Sequence, residues 1–389
     1  MDITPSTEET SHSQSLAALI QKEIESNQGQ ISFAKYMEMA LYTPGFGYYT
    51  AGKAKFGSKG DFITAPEITP FFGFTIAKSL EPILQHFQQI GKPLDILEFG
   101  AGTGALAESV LKEFARNSIE INSYKILDLS ADLIERQQNR LKHQFNQVEW
   151  LSALPEKFDG VILANEVLDA MPVELITCVN QRWHYQDVKT GGNSKDIPFE
   201  FTLGQAVPNE LIPPILKQST FEEGYTTELH PIANGWVRQL AQVLNQGVLL
   251  TIDYGFPEQE YYHPQRHQGT VMGHYAHHAI QNPFFHPGLC DLTAHVEWSS
   301  IAKEAIQEGM TLLGYTSQAS YLLDAGITEL LLDQMNPSDR QQFMPVTNAV
   351  QKLLSEAEMG ELFKVMCLGK DMPFQEGELP GFRSRPRSL

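Results

Sequence analysis

Asn165, Glu166 and Asp169 in NEVLDAMP bring one amide and two carboxylates to the end of an apolar run, Val161–Ala164. Two carboxylates can clamp a guanidinium through charge-assisted, bidentate hydrogen bonds. If the turn becomes helical, Glu166 and Asp169 lie three apart and share a face. The same residues would also serve a capped helix start, with Asn165 or Glu166 satisfying backbone amides.

A second chemical group lies upstream, in LEFGAGTGALA. The glycines Gly100, Gly102 and Gly104 are spaced GxGxG and preceded by Glu98. A phosphate-binding P-loop needs a lysine-hydroxyl pair that is missing here, and the dinucleotide fingerprint is spaced GxGxxG. The observed spacing is that of α/β turns that bind S-adenosylmethionine, where backbone must approach the methionine and ribose parts and no pyrophosphate has to fit. Glu98 can sit near the ligand's ammonium or order the loop. Asp128, ending KILD, is placed to accept hydrogen bonds from ribose hydroxyls, or is a solvated strand-end acid. These acids favour S-adenosylmethionine over a dinucleotide. A methyl leaving a sulfonium needs little acid-base help beyond removal of one proton; in-line placement of the nucleophile supplies most of the rate.

Other constellations are weaker. Asp61, Thr64 and Glu67, in GSKGDFITAPEITP, suit the neighbourhood of a cationic cofactor or the internal bonds of a lid. Tyr185 and Lys189 form a YxxxK pair, but in a strand-and-turn context where a dehydrogenase needs a helix. His274, His277, His278, His286, Cys290 and His295 cluster, yet the segment holds Pro283, Pro287 and Gly288 and lacks HExxH or a CxxC pair, so no metal site is expected.

The elements that must position these groups alternate. Leu94–Phe99, Tyr124–Leu129, Gly160–Asn165 and Gly247–Asp253 read as strands, separated by helices at Ala105–Phe114, Ala131–Phe145 and Asn234–Leu244. Met310–Tyr315 and Leu362–Gly369 are late strands. Such alternation predicts an α/β fold with a mainly parallel sheet covered by helices. Two stretches interrupt it after strand ends, where such folds place substrate sites. One is a β excursion from Val173 to about Pro213; the other, Tyr254 to about Glu297, is rich in aromatics and histidine. The divisions expected are a disordered tail at 1–14, a helical cap with a lid loop at 15–90, and a core at 91–172, 214–255 and 300–370. Insertions fill 173–213 and 256–299, and a tail follows at 371–389.

A net charge of -19 argues against a nucleic-acid surface and favours a basic partner such as an arginine-rich segment. Three scattered cysteines suit a reducing compartment. No run approaches a membrane span, and the acidic, hydroxyl-rich start fits neither signal nor transit peptide, so a cytoplasmic location is expected.

The chain resembles the MidA family of adenosylmethionine-dependent methyltransferases, over about Ile31 to Lys370. The likeness is carried, in order, by YMEMALYTPGFGYY, GDFITAPEITPFFG, LEFGAGTGALA, NEVLDAMPV, the Glu228 and Pro231 of ELHP, TIDYG, GTVMGH, NPFFHPGLCDLTAHV and EMGELFKVM. It implies a class I methyltransferase, with a Rossmann-like, mainly parallel seven-stranded sheet, a helical N-terminal cap and an inserted substrate subdomain. It implies cofactor contacts at Gly100, Gly102 and Gly104, with Asp128 at the ribose position, where relatives more often carry glutamate. Asp61, Glu67, Asn165, Glu166 and Asp169 carry over as flanking the active site. For mitochondrial members the implied reaction is symmetric dimethylation of an arginine on a respiratory complex I subunit. His230 departs from the small residue frequent in relatives. A non-catalytic cofactor-binding assembly factor and a small-molecule methyltransferase fit the same residues.

Overall fold

The computed structural model describes residues 4–51, 64–191, 196–385 and 387–389. The chain divides into two compact units. The sheet unit takes the described residues of 56–167, 236–255 and 299–389, and the second unit those of 1–55, 168–235 and 256–298.

The apolar runs of the first half become β1 (Asp95–Phe99), β2 (Ser123–Leu127), β3 (Val148–Leu151) and β4 (Phe158–Asn165). The chain then builds β5 (Glu174–Val179), β6 (Arg182–Thr190), β7 (Phe199–Ala206) and β8 (Thr226–Leu229) before returning as β9 (Leu244–Phe256). It leaves once more for β10 (Met272–Tyr275), β11 (His278–Ile280), β12 (Asp291–Thr293) and β13 (Val296–Glu297), and closes with β14 (Thr311–Ser317) and β15 (Phe363–Lys370).

In the sheet unit the order is β14-β15-β9-β4-β1-β2-β3. The strands from β9 to β3 run parallel, while β15 is antiparallel to both β9 and β14. From β1 the chain winds out through β2 to β3, then crosses back to β4 on the other side. That reversal between β1 and β4 makes a switch point, and open α/β sheets bind their ligands beyond the carboxyl ends of the strands at such a point. Ile96, Leu97, Val161 and Ile162 have no exposed surface, which is why these strands read as continuous apolar runs. Helices Phe71–Gln89 and Ala105–Arg116 pack with the strands, Phe72, Ile76, Val110 and Phe114 joining Ile96, Val161 and Val365 in one core.

In the second unit, β7-β6-β5-β8 form an antiparallel sheet and β11-β10-β12 a smaller one. Its core gathers Leu16, Ile20 and Ile24 with Phe33, Tyr36, Val173, Val188 and Phe284.

Four expectations need correction. Within the expected 1–14 tail, residues 7–14 are helical, because a helix spans Thr7–Ser26: Ser6 accepts from the Glu9 amide while the Glu9 carboxylate reaches back to the Ser6 amide, a capping box. The cap expected to start at residue 15 starts inside the Thr7–Ser26 helix, and after Gln28 and Gly29, which have positive φ, a second helix begins at Phe33. Residues 214–235 fall in the second unit rather than the core, because β8 pairs with β5. Among the described residues beyond 370 the chain is anchored at points: Leu379 and Phe382 are buried in the sheet unit's core, and the Arg387 amide donates to the Tyr315 carbonyl at 3.0 Å. Among the described residues no helix is long and apolar enough to cross a membrane.

Candidate cofactor and acceptor site

β1 ends at Phe99 and the chain turns at once. Gly100, Gly102 and Gly104 take φ of 58°, 54° and 84°, the left-handed region that glycine enters without steric cost. The Gly100 amide ties the turn to the end of β2, donating to the Leu127 carbonyl at 3.1 Å. A Cβ on Gly104 would stand 3.3 Å from Leu141, whereas one on Gly102 would meet nothing within 4 Å among the described residues. Among the described residues nothing crowds the middle glycine at the switch point, where a ligand has to approach backbone.

Glu98 lies beneath the turn, 2% exposed, and accepts from the Tyr124 hydroxyl at 2.7 Å. Burial pushes its carboxyl up to about 7, against the opposing effect of the Tyr124 bond. Asp128 follows β2. Its Oδ1 accepts from the Ser130 amide at 2.9 Å and its Oδ2 from the Gln137 amide group at 2.8 Å; burial raises its pKa and these bonds lower it. The next residue, Leu129, is 73% exposed. The sequence reading missed it, although a large apolar side chain directly after a strand-end acid is a usable signal for a surface that could receive a flat ring.

Glu67 sits on the short helix Ala65–Ile68. Its carboxylate accepts from the Thr103 hydroxyl, within the glycine turn, and from Arg140 at 3.2 Å. Arg140 also donates to the Thr103 carbonyl at 3.3 Å and pairs with Glu108 at 3.4 Å. Glu67 thus meets the turn through Thr103 and Arg140, and neither was singled out from sequence. Asp61 lies outside the described residues.

At the end of β4, next to β1, the Asn165 amide donates to Glu166 Oε1 at 3.1 Å, and the Ala65 amide approaches the same oxygen at 3.4 Å. Asn165 Oδ1 is buried and has no hydrogen-bond partner among the described residues. Glu166 adopts φ 54° while its amide donates to the Ile252 carbonyl on β9. After Asn165 closes β4, the left-handed Glu166 is followed by bends and a turn through Met171, and no helix forms there. The expectation that Glu166 and Asp169 share a helical face is corrected accordingly.

Asp169 belongs to the second unit and is 6% exposed. Its carbonyl accepts from the Ala294 amide at 3.0 Å, and the next carbonyl, of Ala170, accepts from the Tyr42 hydroxyl at 2.8 Å. Tyr42 stacks on Tyr49, whose hydroxyl donates to Asp291 at 2.8 Å. Two separate sequence stretches, 42–49 and 291–294, thereby fix the backbone around Asp169.

Glu228 and His230 are structural. The fully buried Glu228 accepts from the amides of Thr270 and Val271 and from the Tyr261 hydroxyl, which also meets His230 Nε2 at 3.0 Å. Burial lowers His230 to about 4, keeping it neutral in this network. Tyr185 and Lys189 both lie on β6, where Lys189 pairs with Glu200 at 3.1 Å. Among the described residues no three metal-ligating side chains converge.

Residues 75–316 match the model of a family of S-adenosyl-L-methionine-dependent methyltransferases. The mitochondrial protein arginine methyltransferase NDUFAF7 of Homo sapiens is 28% identical over 90% of this chain and 82% of its own. The mitochondrial NDUFAF7 homolog of Caenorhabditis elegans is 26% identical, over 92% and 88%. A crystal structure of a Burkholderia thailandensis protein bound to S-adenosyl-homocysteine is 44% identical, with a TM-score of 0.92, over 99% of this chain and 98% of that one.

Proposed function

Because the chain belongs to this family of S-adenosyl-L-methionine-dependent methyltransferases, with the class I α/β fold, we propose that it methylates an arginine guanidinium of a protein. The observation that carries the acceptor reading is the pairing of Asn165 with Glu166 at the end of β4, one strand from the glycine turn. Asn165 Oδ1 is a buried acceptor without a donor among the described residues, and a guanidinium is all donors. The names of the curated relatives support the same acceptor.

Bound S-adenosylmethionine supplies an electrophilic methyl on a sulfonium. The chain's own residues do the rest. Gly100, Gly102 and Gly104 let backbone approach the ligand, Asp128 accepts from its ribose hydroxyls, and Leu129 offers an apolar surface to the base. Glu67 braces the turn through Thr103 and Arg140. Asn165 and Glu166 hold the guanidinium by charge-assisted hydrogen bonds, and the Glu166 carboxylate takes the proton lost as the new carbon–nitrogen bond forms. The finer reading, resting on family likeness, is symmetric dimethylarginine on a subunit of a respiratory complex.

The test is mass spectrometry of lysate proteins incubated with enzyme and isotopically labelled S-adenosylmethionine. Labelled methylarginine should form with the wild type and vanish with Glu166→Ala. Label on lysine, or only on small molecules, would reject the acceptor.

A further inference from the structure

Between the glycine turn and Asp128 lies one side chain with no exposed surface, Gln137 of helix Ala131–Leu141. The indole N–H of Trp150 can only donate, and it does so to Gln137 Oε1 at 3.0 Å. This fixes which end of the amide points where. The nitrogen must face the other way, and there it donates to Asp128 Oδ2 at 2.8 Å and to the Gly102 carbonyl at 2.9 Å. Both amide protons and the amide oxygen are used, so no rotation of the group is left without loss of a bond. Ser130 holds the other Asp128 oxygen.

We propose that Gln137 is a positioning residue for cofactor binding: oriented by Trp150, it sets the rotation of the Asp128 carboxylate and the distance from it to the glycine turn. The inference rests on Asp128 accepting from the cofactor's ribose. Arg140, one turn further along the helix, grips the Thr103 carbonyl independently, so the turn keeps a hold when Gln137 is altered. Glutamate is nearly isosteric with Gln137 and still accepts from Trp150. It has no proton for Asp128 or Gly102, and it sets a second negative charge against the first.

Calorimetry with S-adenosyl-homocysteine and with its 2′,3′-dideoxyribose analogue separates this role from a merely structural one. The wild type should bind the parent compound at least about tenfold more tightly than the analogue, the size of a lost hydrogen bond to a charged group. Gln137→Glu should weaken the parent by about tenfold to a hundredfold and the analogue much less, collapsing the discrimination. Trp150→Phe, which frees the amide to rotate, should lose part of the same discrimination, and this holds as the test if Gln137→Glu fails to fold. Equal losses for both ligands, or unchanged affinity in folded Gln137→Glu, would overturn the proposal. A wild type that binds both equally would remove the ribose role of Asp128 and this proposal with it. A wild type that binds neither would instead strike the cofactor site itself.

Discussion

Glu166 holds a conformation, φ 54°, that costs a residue with a Cβ about 1–2 kcal/mol. Strain of this kind persists where surrounding structure over-determines it, and it concentrates at functional sites. Here the Ile252 carbonyl holds the Glu166 amide, while Asn165 and Ala65 meet its carboxylate. The strained backbone is thus what aims the acid. Two substitutions separate aim from stability. Glu166→Ala loses the carboxylate and keeps the Cβ in the left-handed region; Glu166→Gly loses both. Denaturant unfolding should show the glycine variant more stable than the alanine variant by about 1 kcal/mol, although glycine gains entropy in the unfolded chain. Both should lose methyl transfer. An alanine variant equal to or more stable than glycine would mean that position 166 carries no strain.

At the level of elements, β1 and β2 are joined by a polar contact inside an apolar sheet. Glu98 on β1 meets Tyr124 on β2 with both side chains buried. Burial raises Glu98 from 4.5 to about 7, so the folded protein favours the protonated acid. Below about pH 4.5 the acid is protonated in folded and unfolded chains alike, and nothing is lost. As pH rises towards 7 the unfolded chain ionises first, and stability falls by on the order of 3 kcal/mol across that window. Urea titrations between pH 4.5 and 8 should show this fall in the wild type and a flatter profile in Glu98→Gln. A wild-type slope that survives the substitution would place its origin elsewhere. The acid itself was legible in LEFGAGTGALA, as were the parallel strands, because glycine runs and apolar runs are local signals. Its partner was not. Tyr124 meets Glu98, Gln137 meets Gly102, and β8 meets β5 only when distant segments pair, and periodicity registers burial without naming the neighbour. The N-terminal helix is the opposite case. Its S-x-x-E cap stood at Ser6 and Glu9, but the hydroxyl-rich composition around it pointed to a tail.

For the whole molecule the governing quantity is charge. A formal net charge of -19 surrounds every approaching ligand with negative potential, which repels acidic partners and draws in basic ones. In the proposed reaction an arginine side chain in a basic segment is attracted before any specific contact forms, which assigns charge to the encounter and the strand-end amide and carboxylate to the proposed chemistry. The two separate under salt. Screening shortens from about 10 Å at 0.1 M to about 3 Å at 1 M, weakening long-range attraction while leaving close contacts largely intact. Steady-state assays should therefore show kcat/KM for an arginine-rich acceptor peptide falling by about tenfold between low and high salt, with kcat nearly constant. A peptide bearing the same target arginine in a neutral context should start lower and change little. If both peptides respond alike, charge steering plays no part in choosing the acceptor. Were kcat to fall with KM unchanged, salt would be acting on the bound guanidinium at Asn165 and Glu166 rather than on its approach.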